Sequence, residues 1–440
     1  MSENCFAINT TRDMKDLSVF VFSRKALFLL SSAIAISVVC SCTRTADIIA
    51  TPAVDSQQAE ATLEERTEQL FSSLFGGNLR NGETATLSSL DSMETDDSET
   101  QLYLANFAGG GYLLFRDGGK EQMNVIGMSD NASLRFSDAV ENPILGQIFQ
   151  ASASGLQDVS TDFDVLGPSG PRPPHIPTDY YPKEVVDSVY PSYLNEAFKP
   201  NTYQYFRQEW PFNCYIYKKA SVHETFPAGC GPIAIVTLLS HYEMQAGGSN
   251  VDWKRLKDRY NGNDPNYSSL VQDKELIHQL RLLVKDAWKY AHIWTTSSFT
   301  MSTPKNVAGY LRRAGFNVAY DKKYDPRAIC RILEEKHQPF ILLGWARDSD
   351  GKQGHYWVVD GVAYREYKKT GRIYKYLGDT GTPFERTTRK PYIHCNWGWH
   401  GDSNGWFTPW VINENQGTPT LRSSRPYGEY YDISTFHIWK

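Results

Sequence analysis

Cys230, His355, Asn396 and Gln208 are the residues whose types and settings suit acyl transfer. Cys230 stands in Phe226-Pro-Ala-Gly-Cys-Gly-Pro-Ile-Ala-Ile-Val-Thr-Leu-Leu239. Pro227 and Gly229 break the chain ahead of it, and Pro232 suits the first turn of a helix, where a missing amide costs nothing. The cysteine therefore falls at a helix N-terminus, whose unpaired amides and dipole favour the thiolate, the nucleophilic form. A buried structural cysteine is the competing reading of the same local pattern. His355 lies in Gly354-His-Tyr-Trp-Val-Val-Asp-Gly361, at the start of an apolar strand. A histidine at a strand mouth can face a helix N-terminus across a cleft and act as its base. Taken alone it is equally a satisfied core histidine.

Asn396 belongs to His394-Cys-Asn-Trp-Gly-Trp-His-Gly-Asp-Ser-Asn-Gly-Trp-Phe407. An imidazole base needs a third group to hold its tautomer, and an amide oxygen accepting from the ring N–H does this. The two tryptophans beside it, Trp397 and Trp399, would shield that hydrogen bond from water. The alternative is a glycine- and tryptophan-rich turn that merely packs. Gln208 lies 22 positions ahead of Cys230. Its side-chain amide and the Cys230 backbone N–H would make two donors for a developing oxyanion. Cys395 reads as core, because on a strand it points to the face opposite Asn396. His223, His241, His394 and His400 show no metal-ligand spacing, and core or solvated roles are assigned to them. No cofactor or metal is implied, and the glycines at 109–111 open no helix, so no phosphate loop is read there.

These residues need elements to hold them. Helical patterns run over 231–244, 272–291, 305–314 and 326–337, followed by strand-like runs over 340–345, 356–363, 373–379, 392–397 and 405–407. Helices first and strands later argue for an α+β fold with segregated layers. Ahead of them, Ala59 to Phe75 reads as an amphipathic helix. Leu102 to Phe107 and Tyr112 to Phe115 read as a hairpin across Gly109-Gly110-Gly111, and Met123 to Gly127 as a further strand. Asp158 to Pro182 carries Gly-Pro and Pro-Pro steps that exclude a helix or central strand and mark an exposed linker open to proteolytic nicking.

The 440 residues suffice for two or three domains, and 41% hydrophobic with 22% charged content excludes a disordered, fibrous or polytopic membrane chain. The net charge of −5 gives no reason to expect nucleic acid as a partner. Charge is nevertheless uneven: residues 43–175 hold 20 Asp/Glu against 7 Lys/Arg, and all 11 Trp lie between Trp210 and Trp439. Arg24-Lys25 and the apolar run Ala26 to Val39 describe an export signal, too short to span a bilayer comfortably. Cys42, after the small Ser41, fits a bacterial lipobox better than Cys40, so lipid attachment at Cys42 is the expected membrane contact. Of the seven cysteines, Cys214, Cys230, Cys330 and Cys395 remain in the exported body, with no disulfide-framework or zinc spacing. At least one reactive thiol is the economical reading.

The order Gln, Cys, His, Asn is that of papain-like cysteine peptidases. The segments 227–230, 354–361 and 396–407 closely resemble the motifs of the streptopain family, over about residues 200–440. The resemblance implies a papain-like fold, a helical half packed on an antiparallel sheet half, preceded by a small α+β prodomain. It implies a secreted endopeptidase zymogen acting on proteins or peptides, with its own prodomain as intramolecular inhibitor. Cys230 would be nucleophile, His355 base and then acid, Asn396 orienter, Gln208 oxyanion donor and Trp397 the cover. The boundaries expected are 1–42 lipoprotein-type signal, 43–100 acidic segment, 101–157 inhibitory prodomain core, 158–199 proline-rich activation linker and 200–440 catalytic domain. The activating cut would fall between about 165 and 200; the protein is expected lipid-anchored at the bacterial cell envelope, or released after processing. One departure stands out: members commonly read Val-Ala-Thr-Ala after the nucleophile, and this chain reads Gly231-Pro232-Ile233-Ala234. The rivals are a papain-like amidase acting on cell-wall peptides, and a catalytically idle surface binding protein.

Overall fold

The computed structural model describes residues 61–75, 85–93, 101–117, 123–140, 142–153, 183–218, 221–262, 267–295, 300–321, 324–348, 351–374, 380–412 and 433–440. The expected signal, the lipid site at Cys42 and the proline-rich stretch 158–182 lie outside them.

The first elements are α1 (Leu63–Phe75), β1 (Leu87–Met93), β2 (Leu102–Phe107), β3 (Tyr112–Asp117) and β4 (Met123–Ser129), then α2 (Pro143–Ala153). Strands β1 to β4 form an antiparallel meander, with the expected hairpin pairing Asn106 with Tyr112 across the three glycines. On one face α1 buries Phe71, Leu74 and Phe75 against Phe107, Leu113 and Phe115. Phe71 stacks on Phe107 with centroids 3.8 Å apart. Each such ring contributes roughly 1.5–3 kcal/mol by leaving water. The unit therefore begins near Thr62 rather than at residue 101: α1 and β1, read as part of a separate acidic segment, complete its core.

The chain continues with β5 (Lys183–Phe198), β6 (Tyr217–Lys218), β7 (Ser221–Thr225), α3 (Cys230–Tyr242), α4 (Trp253–Tyr260), α5 (Ser268–Gln272) and α6 (Lys274–Ala291). Then come β8 (His292–Thr295), β9 (Thr300–Ser302), α7 (Pro304–Arg313), β10 (Asn317–Asp321) and α8 (Pro326–Lys336). The last elements are β11 (Phe340–Asp348), β12 (Gly351–Tyr374), β13 (Thr382–Asn396), β14 (Gly405–Phe407) and β15 (Ser434–Trp439). The four helices expected in this half are α3, α6, α7 and α8. Asp273, Thr303 and Asp325 cap the last three through backbone amides of their first turns. The helices gather around α3, whose Ile233, Ile235, Val236, Leu238 and Leu239, together with Thr237 and Ser240, are buried; a helix buried all round must be surrounded.

The sheet half is antiparallel and mixed α+β in setting, consistent with a papain-like peptidase. The strand order is β1-β2-β3-β4-β14-β13-β12-β11-β15-β10, with β5 added to the far part of β12. Two sequence expectations change here. The segment 183–198, read as the end of the activation linker, pairs with β12 from Phe198 opposite Val362 to Lys183 opposite Tyr374. The runs 356–363 and 373–379 were separate in the sequence reading, yet β12 crosses the charged stretch between them and reaches Tyr374. Ladders on both sides, to β5 and β13, satisfy its backbone there.

Candidate active site

Cys230 opens α3, with Gly229 as N-cap at φ 85°. That φ favours glycine, and a Cβ at Gly229 would also stand 2.7 Å from the Thr300 Cβ. The approach is held from two sides. Ala228 N–H donates to the Gln208 carbonyl at 2.7 Å, and the Thr300 hydroxyl donates to the Pro227 carbonyl at 2.9 Å. Gln208 is thereby brought alongside the turn that delivers the cysteine. Its side chain is half-buried and makes no hydrogen bond among the described residues.

The Gly231 departure has a steric reason. A Cβ there would lie 2.6 Å from the Ser302 Oγ and 2.7 Å from its Cβ. β9 presses on the first turn of α3 so closely that valine has no room. The Cys230 thiol faces opposing influences. Burial pushes its pKa up, while backbone hydrogen bonding from Tyr356, Gly231 and Cys230 itself pulls it down, and burial prevails. Contact with the Tyr356 backbone places the sulfur beside the residue that follows His355. Cys230, Cys330 and Cys395 are free thiols; the latter two are buried, as expected for Cys395.

His355 is 4% exposed and sits within a tryptophan enclosure: Trp357, Trp397 and Trp399 have ring centroids 6.3, 6.4 and 5.6 Å from its own. Its Nε2 lies 3.0 Å from the Trp397 carbonyl and 3.1 Å from the Trp399 indole N–H. One nitrogen cannot donate to the first and accept from the second at once, so the tautomer selects between them. Burial lowers its pKa to about 4, against a smaller raising influence from the Trp397 carbonyl. No hydrogen bond joins His355 to Cys230 among the described residues.

Asn396 ends β13 and is 1% exposed. Its amide group donates to the Thr202 hydroxyl at 3.1 Å and to the Tyr203 carbonyl at 3.2 Å, and its Oδ1 accepts from Gly398 N–H at 3.2 Å. The expected imidazole–amide bond is thus not made here. The ring instead lies against the Trp397 carbonyl, one residue along. Trp397 is buried, donates its indole N–H to the Ser403 carbonyl at 2.9 Å and packs edge-on against Phe407.

A cavity adjoins this turn. Arg207 and Glu209, the neighbours of Gln208, line it together with Trp399, His400 and Asp402, and from the N-terminal unit Asp138, Asn142 and Leu145 close it. Ser403 donates to Asp138 at 3.0 Å through its hydroxyl and to the Ser133 carbonyl at 3.0 Å through its backbone. Sequence reasoning missed Thr202, Asn404 and the α2 segment; the quoted motif contained Asn404, whereas Thr202 lay in an unpatterned stretch, and Trp399, read as one of two tryptophans shielding the imidazole, does lie beside His355.

A model of the Peptidase C10 family matches residues 206–407, the span from the Gln208 turn to the end of β14. That stretch is similar to the Peptidase C10 family, that of streptopain, in line with the resemblance of its motifs. The match implies a cysteine peptidase, which would act on protein or peptide substrates. No curated protein matches the chain. No cluster of three or more metal-ligating side chains occurs among the described residues.

The buried histidines of this stretch predict a pH dependence. His355 and, through burial on α3, His241 are both held down to about 4. Unfolded, each takes up its proton near 6.5. Between pH 6.5 and about 4 the unfolded state therefore binds more protons, and stability falls as pH falls. The expected loss is roughly 2 kcal/mol per ring at pH 5. Urea midpoints of the Cys230→Ala chain at pH 7.5 and 5 check it; equal midpoints would contradict it.

Proposed function

We propose that the chain is an exported cysteine endopeptidase made as a zymogen. Cys230 Sγ attacks the scissile carbonyl carbon, forming an S–C bond while His355 takes the thiol proton. The Cys230 backbone N–H and the Gln208 side chain receive the oxyanion. His355 returns the proton to the leaving amine, the C–N bond breaks, and water then releases the acid and regenerates the thiol. Asn396 orients the imidazole and Trp397 keeps water from it. The observation that carries this reading is Cys230 at the start of α3, against the backbone of the strand bearing His355, within the stretch similar to the Peptidase C10 family.

In the proposed latent form the 62–153 unit is the prodomain, and it covers the turn 399–403. Two observations support latency: Asp138 and Ser133 engage Ser403, and His355 is buried among tryptophans without a bond to Cys230. The pairing of 183–198 with β12 argues for a cut ahead of Lys183, because a laddered strand is a poor protease substrate. Mass spectrometry of the 43–440 chain under reducing conditions, with and without a covalent thiol inhibitor, tests the proposal. A stable fragment starting between about 165 and 183, absent when the inhibitor sits on Cys230, is expected; conversion unaffected by the inhibitor would contradict self-processing.

Export and anchoring rest on the sequence of residues 24–42. The protein is expected in the membrane fraction of a bacterial host and, as Cys42→Ala, in the soluble fraction; membrane association of that variant would refute the lipid anchor.

A further inference from the structure

We infer that Thr202, a residue far from the reacting atoms in sequence, is a positioning residue that fixes which way the Asn396 amide faces. This rests on the cysteine-peptidase reading above. Asp360, five positions after His355, is fully buried, as is Thr202. A carboxylate only accepts hydrogen bonds. Asp360 receives three: from His394 Nδ1 at 2.6 Å, from Gln204 Nε2 at 3.2 Å and from the Thr202 hydroxyl.

Thr202 has one hydroxyl proton, and Asp360 takes it. The Thr202 oxygen is left able only to accept, and it does so from Asn396 Nδ2 at 3.1 Å and Gln204 Nε2 at 2.9 Å. The Tyr203 carbonyl, 3.2 Å from the same Nδ2, adds a second acceptor on that side. An amide flipped by half a turn would set its oxygen against two acceptors, with no proton between them. Asn396 is therefore confined to one orientation, NH2 toward 202–203 and oxygen toward the catalytic turn, where Gly398 N–H now occupies it. That oxygen is the group the imidazole needs. A second branch reaches the same turn. Gln204 Oε1 accepts from Asn404 Nδ2 at 3.2 Å, and Asn404 Oδ1 accepts from the N–H of Trp397, whose carbonyl meets His355.

Thr202→Val keeps the shape and removes the acceptor. Parent and variants are activated as the full chain and assayed on casein and a fluorogenic peptide. In Thr202→Val, kcat is expected to fall about 10- to 100-fold with KM within about twofold, since only the orientation of the base is lost. Thr202→Ser should restore kcat to within about threefold of the parent, because the hydroxyl returns. In an Asn396→Ala background Thr202→Val should change kcat by less than about twofold, as expected of residues acting through one another. Should the valine variant not fold, Thr202→Ala repeats the measurement without risk of overpacking. A Cys230-dependent parent whose kcat is unchanged by removing the hydroxyl overturns this inference alone, as does an equal loss in the Asn396→Ala background. A parent whose activity survives Cys230→Ala overturns the peptidase reading and this inference with it.

Discussion

Cys230→Ala is expected to lower casein hydrolysis by on the order of 10⁴-fold or more, the scale on which a lost nucleophile is felt. The same change should leave the full chain at its original mass under reducing conditions. The argument is positional and electrostatic. Cys230 sits where α3 starts and where three backbone groups favour its thiolate. Neither other free thiol can replace it: Cys330 and Cys395 are buried in the apolar core shared by α8, β12 and β13, and burial pushes both pKa values up. Casein assay and intact-mass measurement of the folded variant check this; parent-like cleavage by Cys230→Ala would end the proposal.

Alkylation of Cys230 should be slow in the full chain and at least about tenfold faster once the linker is cut and the 62–153 unit has separated, since rate follows thiolate fraction. In the full chain burial pushes the Cys230 thiol pKa up and the His355 pKa down to about 4, both away from a thiolate–imidazolium pair at pH 7. Removing the 62–153 unit opens the cavity bounded by Asp138, Asn142 and Leu145, admitting water to the turn that encloses His355. Both shifts are driven by desolvation and should relax in opposite directions, the thiol down and the imidazole up. Iodoacetamide kinetics at pH 7, before trace trypsin and after trypsin followed by separation of the 62–153 unit, read this directly. Equal rates would show that the N-terminal unit is not what keeps the thiol neutral.

The site was legible in the sequence where local punctuation forced it. Gly229 and Pro232 announced the start of α3, whereas the strand bearing His355 begins at Gly351, three residues ahead of Gly354, the glycine read as its opening. The folding unit at the N-terminus was misjudged because α1 owes its place to Phe107, Leu113 and Phe115, partners that arrive only after two more strands. Helix α4 escaped because only Trp253 and Leu256 are buried, too few points to mark a helical period. β12 looked like two strands because the charged residues Arg365 to Lys369 interrupt the apolar pattern, whereas neighbours on both flanks hold it extended. The link from Asp360 to Thr202 had no local signal at all, since its two halves are distant in the chain and meet only when β12 packs beside the 202–204 turn. Orientation of the imidazole failed similarly: the motif named Asn396, but the choice between its amide and the Trp397 carbonyl is made by the packing around the ring.

One join between the two halves is a short ladder, Gly127 opposite Phe407 and Met128 opposite Trp406. While the chain is intact this pairing is intramolecular, with an effective concentration on the order of millimolar. Once the connecting segment is cut, the same ladder becomes a bimolecular complex. Each fragment then carries a bare strand whose backbone groups are matched to the other's, and such strands seek partners. Cutting alone would thus not complete release. Dilution into the surroundings would finish the switch, and crowding near a membrane would delay it.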